Sequence, residues 1–320
     1  MVNHKISSMT ESGLLAALTV IMALIAVYVP IVGALAALIW PLPVIVLIVR
    51  HGLRWGIMSI VVSGVLMAIL LEPVLSLRMV IAFAPVGIML GIGYRRGFST
   101  TKIFLTTIVV SIVAKLIALG LVFAMTNINP LNMQVDMMKD AFNESIDIYR
   151  GMNMSEAQIE ETANAFTQSM KIVAILMPLI VVLMGILDTF INFIVAGKVL
   201  RRLGMSGVPE FPPFKQWHLP KVFIYFYGFG LVGMYWGGTR QIDLLYQIGM
   251  NLNMLATFIG LIQGLSLFQY WAEHAHLSKF VRWIILILIL FNGMFAQILA
   301  FTGLFDMVFD YRRRFGQKNE

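Results

Sequence analysis

Apolar residues in this chain come in long runs, and the breaks between runs are short and edged with Lys and Arg. About 20 apolar residues cross a hydrocarbon core. On that ruler the pattern predicts nine helices, at about 12–30, 33–49, 53–71, 75–94, 102–126, 171–200, 221–238, 243–271 and 279–304. The second lies within IWPLPVIVLIVRHGLRWG, where Pro41 and Pro43 each remove a backbone donor, so its first turn must bend. In lipid such a break persists only where neighbouring protein or water takes up the freed carbonyls.

One long connection, 127–170, departs from this pattern, with seven acidic residues (Asp136, Asp140, Glu144, Asp147, Glu156, Glu160, Glu161) against Lys139 and Arg150. Val135, Met138, Phe142, Ile146 and Tyr149 recur every three to four residues, as do Ile159, Ala163, Phe166 and Met170. Ser155 with Gln158 has the spacing of a capping box. The segment therefore reads as two amphipathic helices on the outer surface, either a hairpin lying on the membrane or a lid over an outward-facing cavity. The stretch GVPEFPPFKQW is Pro-rich and carries Phe211, Phe214 and Trp217, which suits a rigid interfacial loop. These features divide the chain into a six-helix front part (1–200), a cytoplasmic Pro/aromatic loop (201–220) and a three-helix rear part (221–320).

Composition sharpens the class. Of 320 residues, 59% are hydrophobic and only 12% charged, against about 25% charged in soluble domains. An all-α, polytopic transmembrane helical bundle of about nine spans follows. The net charge of +7 is not a nucleic-acid signature, because the basic residues sit at span ends. Arg50, Arg54, Arg95, Arg96, Lys102, Lys198, Arg201, Arg202, Lys215 and Lys221 mark alternate connections, which makes the N-terminus cytoplasmic in a multi-pass plasma-membrane protein. Nine straight helices would then put DYRRRFGQK outside, against the same rule, so either the region around Asn292-Gly293 or the tail departs from it. Lys5, the apolar stretch Leu14 to Val29 and Ala34-Leu35-Ala36 imitate a signal peptide, but the chain stays apolar beyond them and no cleavage is expected.

Zero cysteines exclude disulfides, thiolate metal sites and cysteine nucleophiles. The chain lacks G-x-x-x-x-G-K-[ST], H-E-x-x-H and G-x-S-x-G. In WAEHAH, His274 and His276 point about 200° apart on a helix and share no metal. No cofactor, metal or catalytic acid-base pair is expected.

Polar side chains inside a bilayer are costly and become functional candidates by default. Lys115 lies midway along the fifth helix, and Asp188 and Asn192 lie one turn apart on the sixth. Counted at about 1.5 Å per residue from Lys102 and Lys198, Lys115 and Asp188 reach similar depth. They are expected either to form a buried ion pair or to line a ligand cavity. Glu72 and Arg78, near the outer surface in LLEPVLSLR, make a surface salt bridge or rim that cavity's mouth. Tyr28 and Trp40 are expected at the interface, and Asn251, Asn253 and Gln263 in interhelical hydrogen bonds. Small residues spaced by four, Gly13 with Ala17 and Gly87 with Gly91, allow close helix approach.

The front part, with GLLAALTVIMALIAVYVP, the Pro-broken IWPLPVIVLIV and the basic turn HGLRWG, resembles the substrate-binding S components of energy-coupling-factor vitamin transporters. The whole chain, through its ending GLFDMVFDYRRR, is similar to the YybS-like family of bacterial membrane proteins. The S-component resemblance implies six helices around a cavity open to the outside, and a first helix whose small residues dock on a coupling subunit. Gly13 and Ala17 match that motif, and the next step is Ile21. Two readings follow. One is a solute-binding or importing protein, with Lys115, Asp188 and Asn192 as the polar floor and Glu72 and Arg78 at the mouth. The other is a membrane scaffold, since the fold also resembles the small membrane subunit of the bacterial rod-shape wall-elongation machinery. A wet pocket around Lys115 and Asp188 favours the first, and a closed one the second.

Overall fold

A computed structural model describes residues 2–127, 129–152 and 155–316. The side chains of Lys5, Asp147, Tyr149 and Arg314, and residues 317–320, lie outside the described residues, as do the roles expected of them. Among the described residues every element is an α-helix apart from one 3-10 turn at Phe214–Gln216. In chain order they are α1 (Val2–Tyr28), α2 (Val32–Leu38), α3 (Leu42–His51), α4 (Leu53–Leu70), α5 (Pro73–Arg95), α6 (Thr100–Thr126), α7 (Pro130–Gly151), α8 (Glu156–Arg202), α9 (Val222–Thr239), α10 (Asp243–His274), α11 (Lys279–Phe291), α12 (Gly293–Phe309) and α13 (Tyr311–Gly316). The chain divides into a front unit, Met1–Thr167 with Ile180–Glu210, and a rear unit, Gln168–Leu179 with Phe211–Glu320.

The Pro-broken span is the centre of the front unit. Helices α2 and α3 share it, and Trp40, Val44, Ile45, Leu47 and Ile48 have no exposed surface. Glycines make room for it. A Cβ at Gly91 of α5 would fall 2.7 Å from Ile48 Cβ, and one at Gly87 would fall 3.3 Å from Pro41 Cβ. The Gly87/Gly91 step is thus used for close approach. Trp40, in contrast, is not an interface aromatic: it packs on Phe83 at 6.2 Å in the core. Tyr28 is exposed.

The acidic connection is helical, as its periodicity requires, but its second half does not stop at the membrane. It continues without a break into the sixth predicted span, making α8 a helix of 47 residues, about 70 Å long. Its start is fixed by the expected capping box, in which Ser155 accepts from Gln158 N–H and Gln158 Oε1 accepts from Ser155 N–H at 3.2 Å. Phe142 of α7 stacks on Phe166 of α8 at 3.9 Å.

In the rear unit, Asn251 of α10 accepts from Leu179 N–H (3.0 Å) and donates to Ile175 C=O (2.8 Å). It thereby holds the part of α8 that Pro178 loosens. Helix α9 lies against α10 through glycines: a Cβ at Gly230 would meet Asn253 Cβ at 2.8 Å, and one at Gly237 would meet Tyr246 Cα at 2.7 Å. Helix α12 packs farther along the same face of α10, where a Cβ at Gly260 would lie 2.7 Å from Leu304 Cγ.

Among the described residues seven helices are long and apolar enough to cross a membrane, and α11 with α12, bent by 103°, makes an eighth if the pair is one span. The seventh expected span, α9, is helical but falls outside that set, since its 18 residues include many Gly and Tyr. The bend at Asn292, whose side chain caps α12 by accepting from Met294 N–H at 3.0 Å, is what a straight-helix count could not contain. Downstream of it Arg312 donates to the Lys215 carbonyl (2.6 Å) and to Ser266 Oγ (3.0 Å). Arg312 therefore lies at the same end of the rear unit as Lys215, which removes the conflict over its side.

Replacing Gly91 by Leu forces a side chain into Ile48 and is expected to cost about 1–3 kcal/mol, read as a lower thermal midpoint of the detergent-purified protein. Gly13→Leu, where a Cβ meets nothing within 4 Å, leaves the midpoint no lower. Equal midpoints for the two variants would show that α3 and α5 are not packed this closely.

Candidate functional site

The polar residues expected within the front part do come together. Helices α6 and α8 approach closely enough that a Cβ on Gly185 would lie 2.7 Å from Ile112 Cγ1. Beside that contact Lys115 Nζ donates to Asp188 Oδ2 at 2.8 Å and to Ser111 Oγ at 2.8 Å, while Ser111 donates to the same carboxylate oxygen at 3.1 Å. The ammonium also stands over the Phe83 ring at 5.1 Å. Only 13% of the Lys115 side chain and 2% of that of Asp188 is exposed.

One turn along α8, fully buried Asn192 extends this cluster to the Pro-broken span. Because the helix breaks there, Leu42 N–H turns to Ile39 C=O (3.0 Å) instead of Leu38 C=O. The freed Leu38 carbonyl accepts from Asn192 Nδ2 at 2.7 Å. The same amide nitrogen lies 2.8 Å from Asp188 Oδ1 and 2.9 Å from the Asp188 carbonyl. Lys115, Ser111, Asp188, Asn192 and Leu38 thus form one chain of charge-assisted bonds tying α6 and α8 to the break. Some capacity is left over, since Trp40 Nε1, Thr189 Oγ1 and Asn192 Oδ1 are buried without a partner.

The remaining candidates stand apart from this chain. Glu72 precedes α5 in extended conformation and Arg78 lies six residues on, about 240° around the helix. Both are exposed. Among the described residues no ion pair joins them, so the expected surface bridge does not form, and neither is bonded to Lys115, Asp188 or Asn192. Gly13 and Ala17 are exposed on α1, opposite a buried face of Ser12, Ala16, Thr19 and Ala23. Of the interhelical amides, Asn251 and Gln263 bond as expected, whereas Asn253 Nδ2 has no partner.

Two clusters escaped the sequence reading. In the first, Ser8 Oγ lies 2.9 Å from His51 Nδ1, His51 Nε2 lies 2.6 Å from Glu11 Oε2, and Glu11 Oε1 pairs with Arg50 at 2.5 Å. The order serine, histidine, carboxylate resembles a hydrolytic triad. Ser8 lies within α1, however, where backbone N–H groups are already committed to carbonyls four residues back and offer an oxyanion no donors. The cluster clamps α1 to the end of α3. Glu11 was the available signal, a lone carboxylate just ahead of an apolar run.

The second cluster is in the rear unit. Fully buried Asp306 accepts from Gln263 Nε2 (2.6 Å) and from Tyr311 N–H (3.0 Å), with Arg312 at 3.6 Å. Burial draws the Arg312 pKa down, and Asp306 and Asp310 oppose that shift. Nearby, a cleft of about 510 Å³ is lined by Lys215, Gln216, Tyr270, Glu273, His274 and His276. A second, of about 380 Å³, is lined mainly by Leu267, Phe268, Trp271 and Leu299. Neither cleft touches the Lys115 cluster. Among the described residues no three His, Asp or Glu side chains are grouped to hold a metal.

Residues 17–307 match the family described as "Predicted membrane protein (DUF2232)", and the chain belongs to that family. It is 26% identical to "Uncharacterized protein YybS" of Bacillus subtilis (strain 168), over 96% of this chain and 98% of that relative. The likeness expected from the ending GLFDMVFDYRRR is therefore real. No solved structure matches.

Breaking the buried pair from one side leaves a charge without its partner. Lys115→Gln or Asp188→Asn alone is expected to cost about 3–5 kcal/mol, seen as poor expression and a low thermal midpoint, and the double variant recovers most of that loss. Single variants as stable as the parent would mean that the pair does not hold α6 to α8.

Proposed function

We propose that this member of the family acts without covalent chemistry, as a membrane scaffold or regulatory subunit of a cell-envelope complex. The observation that carries the reading is the closure of the candidate ligand floor. Asp188 and Asn192 are buried, and their bonds run to Lys115, Ser111 and the Leu38 carbonyl rather than into an open pocket. Polar groups spent on holding helices together are not available to coordinate a solute. What the front unit does present outward is apolar helix surface, including the Gly13/Ala17 step on α1, where a neighbouring helix can approach closely. The protein sits in the bacterial plasma membrane with its N-terminus in the cytoplasm, a reading supported by Arg50, Arg54, Arg95 and Arg96 at alternate connections.

A second reading, solute binding of the S-component kind, is favoured by one specific observation. Asn192 Oδ1, Trp40 Nε1 and Thr189 Oγ1 remain unpaired in the interior, and buried polar atoms ordinarily find partners. A small polar solute or a water molecule would supply them.

The two readings part in a thermal-shift screen of vitamins and nucleosides on the purified protein. The scaffold reading expects no compound to raise the midpoint. It also expects Gly13→Leu with Ala17→Leu to abolish cross-linking to a defined membrane partner while leaving the midpoint unchanged. A saturable shift from one compound, lost in Asn192→Ala, overturns it in favour of solute binding. Orientation is tested separately, because a chain without cysteine accepts single reporters cleanly. A cysteine at Arg96 should react with a membrane-impermeant maleimide only in inverted vesicles, and one at Glu72 only in intact cells.

A further inference from the structure

The segment that follows α10 leaves the charged end of the rear unit and comes back to it. At its start Arg282 lies 3.6 Å from Glu273, at the end of α10. At its far end Arg312 donates to Ser266 Oγ at 3.0 Å and to the Lys215 carbonyl at 2.6 Å. Lys215 joins the two ends, because its ammonium donates to the same Glu273 carboxylate at 2.5 Å. Glu273 and Ser266 are seven residues apart on α10, a rise of about 10 Å. A segment that crossed the bilayer would separate its ends by about 30 Å along that axis.

Length and polarity agree with a path that turns back. Helix α11 has Lys279 and Arg282 in its first turn, followed only by apolar residues from Trp283 to Phe291. That apolar stretch rises about 14 Å, half the thickness of a hydrocarbon core. No residue of α11 is buried against protein, and Trp283, Ile287, Leu288 and Phe291 are exposed. A helix lying in the interface keeps a polar face, and past Arg282 this one has none. Hydrocarbon is therefore the surrounding that its surface fits. The reversal leaves few backbone donors open: Asn292 accepts from Met294 N–H at 3.0 Å and from Phe295 N–H at 3.3 Å, two groups that lipid could not satisfy. Helix α12 then returns close against α10, where Gly303 meets the backbone of Gly260.

We propose that α11 and α12 form a re-entrant pair, which enters and leaves the membrane on the side of Lys215 with α11 embedded in the acyl chains of that leaflet. Among the described residues α10 is then the last full span. Lys279, Arg282, Arg312 and Arg313 gather at one surface, as basic residues do on a cytoplasmic side. The pair is independent of either reading of the front unit, because every contact that defines it lies in the rear unit.

Single cysteines in the full chain, which has none of its own, test the path at three exposed positions, Lys279, Phe291 and Arg313. A membrane-impermeant maleimide should label Lys279→Cys and Arg313→Cys in the same preparation, whether intact cells or inverted vesicles, with loss of labelling at Phe291→Cys in both. Labelling of Lys279→Cys and Arg313→Cys from opposite sides overturns the pair in favour of one broken span. Depth is read separately, from bimane attached to each cysteine in phosphatidylcholine vesicles. Bromine at the methyl end of the acyl chains should quench Phe291→Cys more than bromine near the headgroup, and the order should reverse at Lys279→Cys. Maleimide labelling of Phe291→Cys as complete as that of Lys279→Cys, or the same quenching order at both, overturns the lipid contact of α11. Arg96→Cys reports the orientation of the whole chain, so a failure of that reading is told apart from a failure of the pair.

Discussion

A carbonyl freed inside a membrane must find a donor, and in this protein the donor for Leu38 is Asn192. Lipid offers no hydrogen bonds, so an unsatisfied backbone group there costs several kcal/mol. Pro41 and Pro43 create that cost by breaking the second span. Asn192 removes it, and is itself held by Asp188, which is held by Lys115 and Ser111. The break in one helix thereby specifies the partners of two others. A straight span would need neither a buried amide nor a buried charge pair at this point.

The break also shapes the packing. A short, fully buried α3 can sit in the middle of the front unit only if its neighbours give up side-chain volume, which Gly87 and Gly91 do. The rear unit uses the same device with different partners, since Gly230, Gly237 and Gly260 bring α9 and α12 close against α10. Without water to drive helices together, close backbone contact through small residues supplies the dispersion energy that holds such a bundle. The exposed faces of α4 and α6 carry large apolar side chains such as Val61, Val65, Val109 and Val113, which is why these helices lack the striped amphipathicity of a soluble bundle.

Charge is used in two distinct ways. In the interior it is paired and spent on architecture, as in Lys115 with Asp188 and Arg312 with Asp306. At the end of α10 it is paired in a more exposed setting, where Lys215 and Arg282 share the Glu273 carboxylate beside a cleft. Interior pairing holds helices together, whereas the more exposed pairs at the helix end add little to stability.

Membrane class, the helical fold, the Pro break and the co-location of Lys115 with Asp188 were all legible in the chain, because hydropathy and helical rise are one-dimensional quantities. The capping box at Ser155 was legible for the same reason, being local. Three things were not. That α8 runs on through the membrane as one helix depends on the absence of a stop signal at 170, which periodicity does not register. The 103° bend at Asn292, and with it the side on which Arg312 lies, depends on which carbonyls and side chains wait at the end of the turn. Trp40 looked interfacial because aromatics prefer that depth, yet the bend at Pro41 carries it inward against Phe83. The sequence by itself determined which segments enter the bilayer and which charges meet at the same depth. Only the tertiary structure decided whether those charges face a solute or one another, because that is set by the angle of approach between helices and by which neighbour claims each hydrogen bond first.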